Sequence, residues 1–348
     1  LAEQQIKTVV NISTTQTRGA GGPGGPRSPE GTPPGPGRPG GPGQGPGGQD
    51  LPEFPPGSPF EEFFRQFREQ QPTPRPVTAL GSGFIIDPSG LVATNNHVVA
   101  EADEIQVTLH DDTVLQAELV GSDPLTDLAL LRVKTDKPLP SARFGDSASM
   151  RIGDWVMAIG NPFGLGGTVT SGIVSARGRD IQAGPYDDFL QLDASINRGN
   201  SGGPTFDAQG RVIGINTAIF SPNGGSVGIG FAIPSNLAKG VIAQLRETGT
   251  VSRGWLGVQI QQVTPEIADS LGLTQPKGAL VADVTANSPA AKSKVQAGDV
   301  ILSLDGRPID TIKDLTRMVA DSKTGSDVTL EVLRRGKRQN ISVKLDQM

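Results

Sequence analysis

Apolar and polar positions change period several times along this chain. A short apolar run, Val9-Val10-Asn11-Ile12, predicts an opening strand. Polar and then Gly/Pro-rich sequence follows to about residue 50. From Ser58 to Gln71 the spacing turns helical: Phe60, Phe63, Phe64 and Phe67 share one face, with Ser58 as a cap, Pro59 at the first position and Glu61 and Glu62 in the first turn. With Phe54, that patch reads as a docking element on a tether, although packing onto its own domain satisfies the same pattern. From Thr78 to Pro234 short runs rich in Val, Ile, Leu and Thr alternate with turn clusters, as in GSGFIIDPSGLVATNN, IQVTLHDDTVLQAELVG, DLALLRV, GDWVMAIG, GTVTSGIVSARG, RVIGINTAIF and GSVGIGFAI. This rhythm predicts a sandwich or barrel of antiparallel strands. It stops at Pro234, where Leu237, Val241, Ile242 and Leu245 take helical spacing up to Gly249. Beyond Arg253 the reading is mixed: strand (WLGVQIQQV), short helix (PEIADSLGL), strand (GALVADV), short helix (SPAAKSKV), strand (DVILSLDG), longer helix (IKDLTRMVADS) and a closing hairpin around RGKR.

Composition sharpens this picture at a few points. A length of 348 residues fits two domains, placed at 1–250 and 251–348. The chain holds 47 glycines and 29 prolines, and they are densest between Gly19 and Asp50, where 23 of 32 positions are Gly or Pro without a strict every-third-residue register, which excludes a collagen helix. That tract lies in a flexible loop of about 13–77, and its 32 residues as a coil span roughly 30 Å. No apolar stretch is long enough for a membrane-spanning helix. A net charge of −5 with no basic block speaks against nucleic acid as a partner. The absence of cysteine removes disulfides, zinc–thiolate sites and cysteine nucleophiles together. Only His97 and His110 are available for imidazole chemistry, so no metal cage of histidines forms, and neither metal nor cofactor is expected. The start at Leu1, without a charged and then apolar leader, reads as a processed chain whose signal peptide is gone.

The sharpest chemical signal is Asn197-Arg198-Gly199-Asn200-Ser201-Gly202-Gly203-Pro204, between two strand patterns. Glycines around a serine let the backbone approach a carbonyl and aim its N–H groups at a developing oxyanion, while an ordinary hairpin turn fits the same octapeptide. A serine needs a base to take its proton. His110, in Leu109-His110-Asp111-Asp112, reads as a solvated hairpin tip; His97, in Asn95-Asn96-His97-Val98-Val99, lies in a loop after a strand, as either a base or a core histidine. The carboxylate that orients an imidazole has two candidates. Asp123 precedes a proline and reads as a turn former; Asp127 opens the apolar run Leu128 to Val133, where an unpaired carboxylate is costly, and is preferred.

The order His97, Asp127, Ser201 is that of chymotrypsin-type double barrels. With GSGFIID, VATNNHVV, TDLALLRV, INRGNSGGP and VGIGFAIPSN, the chain closely resembles the HtrA/Deg family of serine proteases, and the stretch from Arg253-Gly254-Trp255 resembles that family's PDZ domain. The resemblance implies an all-β, chymotrypsin-like, trypsin-type domain of two six-stranded barrels followed by a small α+β PDZ domain, with a second PDZ domain conceivable after residue 348. It assigns Ser201 as nucleophile, His97 as base and Asp127 as orienter, with Gly199, Asn200 and Ser201 forming the oxyanion hole. It places Ile196, Phe220 and Ile229 in the primary specificity pocket, which then favours small or medium aliphatic residues. Arg179 falls in a sensor loop, though a plain surface arginine fits the sequence equally. Trp255, Leu256, Gly257 and Val258 become the loop that captures a peptide carboxylate, while Trp255 and Leu256 also suit simple core packing. The implied protein is periplasmic and ATP-independent. It acts on unfolded proteins and C-terminal peptides as a homotrimer that assembles into larger cages (hexamer, 12-mer, 24-mer). The competing reading is a sequestering chaperone with minor proteolysis.

Overall fold

The computed structural model describes residues 1–16, 77–160, 167–197, 199–222 and 225–347. The Gly/Pro tract and the helix expected over Ser58–Gln71 lie outside the described residues. After a first helical turn, α1 (Ala2–Gln5), six strands close a barrel: β1 (Val9–Gln16), β2 (Val77–Asp87), β3 (Leu91–Thr94), β4 (Glu104–Thr108), β5 (Val114–Asp123) and β6 (Leu128–Val133), in the order β1-β2-β3-β6-β5-β4. β1 runs to Gln16, which pairs with Val77, so the long insertion is the hairpin connection between β1 and β2 and begins slightly later than its composition indicates. His97 stands on a single turn of helix, α2 (Asn96–Val99), where the sequence reads as loop. The run in β6 is uninterrupted because both faces are covered. Ala129, Leu131 and Val133 fill the barrel, while Leu128 and Leu130 point to the neighbouring barrel.

The second barrel comprises β8 (Trp155–Gly160), β9 (Thr168–Arg179), β10 (Phe189–Leu192), β11 (Pro204–Phe206), β12 (Arg211–Ile219) and β13 (Gly230–Pro234). Its order is β11-β8-β9-β10-β13-β12, closed by the β11–β12 pair, with β7 (Arg143–Phe144) lying parallel beside β12. The two barrels meet through one apolar cluster: Phe84, Leu128 and Leu130 from the first, Phe206, Ile215 and Ile233 from the second. The helix expected after Pro234, α3 (Ser235–Thr248), seals that seam with Ala238, Val241, Ile242 and Leu245 and ends on left-handed Gly249. The cleft above this seam is therefore set by a close-packed apolar contact.

The second domain is a sheet ordered β15 (Val258–Gln262), β16 (Ala279–Val284), β17 (Val300–Leu304), β19 (Asp327–Arg334) and β20 (Lys337–Lys344), with β18 (Arg307–Pro308) on β17. The strand expected from Trp255 through Val263 is broken. Its first part, β14 (Gly254–Trp255), pairs instead with β21 (Asp346–Gln347), because Gly257 takes a φ of 79° and turns the chain. Helices α4 (Pro265–Leu271), α5 (Pro289–Lys292) and α6 (Ile312–Asp321) complete the domain; Thr311 and Asp314 cap α6 reciprocally.

The second domain leans on the barrels through charge. Arg253, at its entry, is buried and grips Asp123 with two hydrogen bonds of 3.0 and 2.5 Å, its guanidinium lying 4.6 Å from the centre of the Tyr186 ring. Asp123 is thus more than the turn former its sequence indicates: at 4% exposure it needs a partner, and the partner comes from 130 residues away. From α6, Lys313 bonds Asp180 at 2.6 Å and Arg317 bonds Asp188 at 3.0 Å.

Candidate active site

Asp127 opens β6 in a left-handed conformation, with φ of 54°, which few residues other than Gly, Asn and Asp tolerate. It accepts five hydrogen bonds there. Its carbonyl accepts from Asn95 Nδ2 at 2.8 Å and from the Asn96 N–H at 3.1 Å. Its Oδ1 accepts the His97 N–H at 2.9 Å, and its Oδ2 accepts Thr217 Oγ1 at 2.6 Å and lies 2.7 Å from His97 Nδ1. A carboxylate only accepts, so Nδ1 donates to it, which in the neutral ring leaves the lone pair on Nε2, the tautomer a general base requires. The one-turn α2 makes this work, since it turns the His97 N–H and the His97 ring toward the same carboxylate.

Thr217 carries a role that sequence reasoning missed. Inside RVIGINTAIF it reads as one more strand residue. In the structure β12 shifts register against β13 between Asn216 and Ala218, and this bulge at Thr217 re-aims its side chain. Its hydroxyl then reaches Asp127, and its carbonyl accepts the Ser201 hydroxyl at 3.3 Å. Thr217 so joins the serine and the aspartate from the second barrel, while Asn95 and His97 approach from the first.

The described residues from Gly199 to Gly203 form a tight loop leading into β11, not a hairpin of paired strands. Asn200 N–H closes a turn onto Asn197 O at 3.0 Å, which takes it away from any oxyanion. The Ser201 N–H has no acceptor among the described residues. Gly202, with φ of 83°, has no room for a side chain: a Cβ there would meet Ser82 O at 2.2 Å and Thr94 Oγ1 at 2.3 Å. Of the expected pocket residues, Ile196 is fully buried, and Phe220 and Ile229 pack against the same cluster; Phe220 N–H donates to Ile229 O at 3.0 Å. The three are together. His110 is exposed at the connection between β4 and β5, as expected.

Arg179 ends β9 and donates its Nε–H to Gln191 on β10 at 2.8 Å; the ionic contacts to the second domain come from its neighbours Asp180 and Asp188. Asp187, between these strands, accepts the N–H groups of Ile181 and Ala183 at 3.0 and 2.9 Å. Burial pushes its carboxyl up to about 6, against those two N–H groups and the Lys313 ammonium, which favour the charged form. In the second domain, Leu256 is core, and its carbonyl and that of Gly257 are taken by the N–H groups of Ala290 and Thr285. A Cβ on Gly257 would lie 2.2 Å from Ser288 Cβ. Val258 opens β15 opposite Leu315, Met318 and Val319 of α6, around one apolar core.

Comparisons with known proteins converge on one family. Residues 81–215 match the trypsin-like peptidase domain, and residues 254–345 match the PDZ domain. A probable periplasmic serine endoprotease DegP-like from Bartonella henselae is 58% identical over 274 residues, 79% of this chain and 54% of the relative. A relative of the same description from Brucella suis is 53% identical over 311 residues, 84% of this chain and 60% of the relative. The chain thus spans little more than half the length of these relatives. Among solved structures, the HtrA-type protease AlgW with tripeptide is 38% identical with a TM-score of 0.77, covering 100% of this chain and 96% of that one. The serine endoprotease from Yersinia pestis is 30% identical with a TM-score of 0.65, at 100% and 96% coverage. Among the described residues no helix is long and apolar enough to cross a membrane.

Asp187 gives the fold a pH signature. The folded chain keeps a proton on Asp187 that the unfolded chain releases near the ordinary value of 3.8, so stability falls as pH rises from there through about 6. Asp187→Asn holds the neutral shape at every pH. Urea midpoints measured from pH 3.5 to 7 are expected to show wild type losing ground to the variant across that window; a constant difference refutes the assignment.

Proposed function

This chain belongs to the HtrA-type family of serine proteases, and we propose that it is a periplasmic serine endopeptidase that cleaves unfolded protein chains without ATP. The observation that carries the reading is the 2.7 Å contact of His97 Nδ1 with Asp127, bridged to Ser201 through Thr217. In this reading His97 Nε2 takes the Ser201 proton as Oγ attacks a peptide carbonyl, Asp127 stabilises the imidazolium, and His97 then protonates the leaving amine. The Gly199 and Ser201 N–H groups receive the oxyanion. Cleavage falls after small or medium aliphatic residues: Ile196, Phe220 and Ile229, the residues assigned to the primary pocket, belong to one apolar cluster with no carboxylate among them. The names of the relatives support the periplasmic setting.

The PDZ domain recognises free chain ends. A peptide adds as a strand beside β15, with its carboxylate in the turn at Leu256–Gly257–Val258 and its last side chain against Met318 of α6. The chain acts as a homotrimer. Trp155 sits directly opposite Ile173 on the outer face of the second barrel, 43% and 38% exposed, with Ile152 nearby at 68%. Such a cluster of apolar side chains on an otherwise polar surface fits a contact between copies.

Three experiments test this. Wild-type protein is expected to degrade β-casein and Ser201→Ala to leave it intact; sequencing the fragments is expected to place Val, Ala, Ile or Leu before the cuts. Equal degradation by both proteins, or cuts after Lys and Arg, overturns the assignment, and casein held soluble but uncut by wild type favours a chaperone. Gly257→Glu is expected to abolish binding of a peptide ending in an apolar residue while the barrels stay folded; unaltered affinity sinks the PDZ reading. Sedimentation velocity is expected to give three chains for wild type and fewer for Trp155→Asp, and a monomeric wild type removes the trimer.

A further inference from the structure

The segment that holds Ser201 has an anchor in the opposite barrel. Ser82 lies in β2, fully buried, and makes three hydrogen bonds of known partner. Its N–H donates to the Ser201 carbonyl at 2.8 Å. Its hydroxyl donates to the Gly199 carbonyl at 2.5 Å. Its own carbonyl accepts Thr94 Oγ1 at 2.7 Å, on the strand that runs into Asn95, Asn96 and His97. One residue therefore grips the carbonyls of both residues whose N–H groups are proposed to receive the oxyanion, and is itself fastened to the segment that carries the base.

The hydroxyl contact matters because of what Gly199 is. With φ of 91° and no side chain, Gly199 has little of its own to resist rotation of its peptide groups. The peptide linking it to Asn200 is pinned on both sides: its oxygen by Ser82 Oγ, its N–H by Asn197 O at 3.0 Å. With that plane fixed, the Gly199 Cα is fixed, and the direction of its N–H depends only on the φ and ψ torsions of Gly199 itself. Without the hydroxyl, the Gly199 carbonyl is left buried and without this donor, a state that favours rotation toward another one. Ser201 Oγ, His97 and Asp127 are untouched by that rotation, since the triad's contacts run through Thr217 and Asn95.

We infer that Ser82 is a positioning residue for the oxyanion hole: its hydroxyl holds the Gly199–Asn200 peptide so that the Gly199 N–H faces the reacting carbonyl oxygen. The inference rests on the serine endopeptidase reading above. An oxyanion donor acts on the transition state far more than on bound substrate, so losing its alignment lowers kcat and leaves KM nearly unchanged. Complete removal of such a donor costs on the order of 10²- to 10³-fold in kcat, and misalignment is expected to cost about tenfold or more.

The test uses the full chain and a fluorogenic peptide copied from a β-casein cut site. Wild type must first cleave it while Ser201→Ala does not; failure there refutes the endopeptidase reading itself and not the role of Ser82. Given that activity, Ser82→Ala is expected to lower kcat at least tenfold with KM within twofold. Its affinity for a peptide boronic acid of the same sequence, whose tetrahedral adduct places an oxygen in the hole, is expected to fall by a matching factor. Binding of the uncleaved peptide to Ser201→Ala and to Ser82→Ala/Ser201→Ala is expected to be equal. Ser82→Cys, which keeps the volume with a weak donor, serves as a second variant should the alanine protein not fold, and is expected to show the same split. An unchanged kcat in either folded variant overturns the inference. So does a loss carried by KM, or a kcat loss with unaltered boronate affinity.

Discussion

The five hydrogen bonds that Asp127 accepts are the constraint around which the rest of this site is arranged. A carboxylate buried in this way is costly unless every lone pair is answered, and its left-handed backbone adds a further cost that the surroundings must offset. The answers come from separate places: His97, after β3 in the first barrel, and Thr217, on a bulge of β12 in the second, donate to the carboxylate, while Asn95 and Asn96 hold the backbone carbonyl. Meeting all of them fixes the two barrels relative to each other at the cleft. The apolar seam of Phe84, Leu128, Phe206 and Ile215 supplies the adhesion, but it is non-directional. Directionality comes from the polar contacts, which tolerate errors of only a few tenths of an ångström.

Against this, the second domain is attached in another manner. Its contacts with the barrels set the cations Arg253, Lys313 and Arg317 against the anions Asp123, Asp180 and Asp188. Only Arg253–Asp123 is buried on both sides, and there the two hydrogen bonds and the Tyr186 ring offset the desolvation of the charges. The α6 pairs are partly exposed and contribute little adhesion, though they constrain orientation. Thr126 donates to the carboxylate of Asp123, and Asp127 closes the same turn onto Pro124. The entry to the second domain is thereby tied, through one turn, to the residue that anchors the site.

What the sequence reveals follows the range of each interaction. Strand alternation in β4, the covered run of β6 and the apolar face of α3 are local patterns, and all are legible from residue types a few positions apart. The pairing of His97 with Asp127 is legible because imidazole and a carboxylate opening an apolar strand each need a partner of that kind. Thr217 is not, since a hydroxyl within a strand carries no sign of the bulge that turns it inward. Asp123 misleads for the same reason: its proline neighbour is a local signal, and Arg253 is 130 residues away. The break at Gly257 hides within an otherwise good strand pattern, because only the tertiary contact with Ser288 makes the side-chain-free position necessary.

That last point extends to the loop carrying Ser201. Gly202 has the Ser82 carbonyl and the Thr94 hydroxyl where a methyl group would be, and at Gly203 a Cβ would fall 2.4 Å from Ile159 O. The first barrel therefore meets the candidate nucleophile's loop at close range, through the Ser82 backbone and the short hydroxyl side chains of Ser82 and Thr94. A displacement of β2 is passed directly to the Ser201 loop through the Ser82 contacts, and a displacement of β12 reaches it through the Gly202 N–H on Asn216 O at 2.8 Å. Glycine in this segment thus does two things that pull in opposite directions. It frees the torsions of the loop, and by admitting close contact it lets neighbouring strands remove that freedom. The serine is held rigidly only because both effects are present, and this is why the apolar seam, the Asp127 contacts and the glycine run form one mechanical unit.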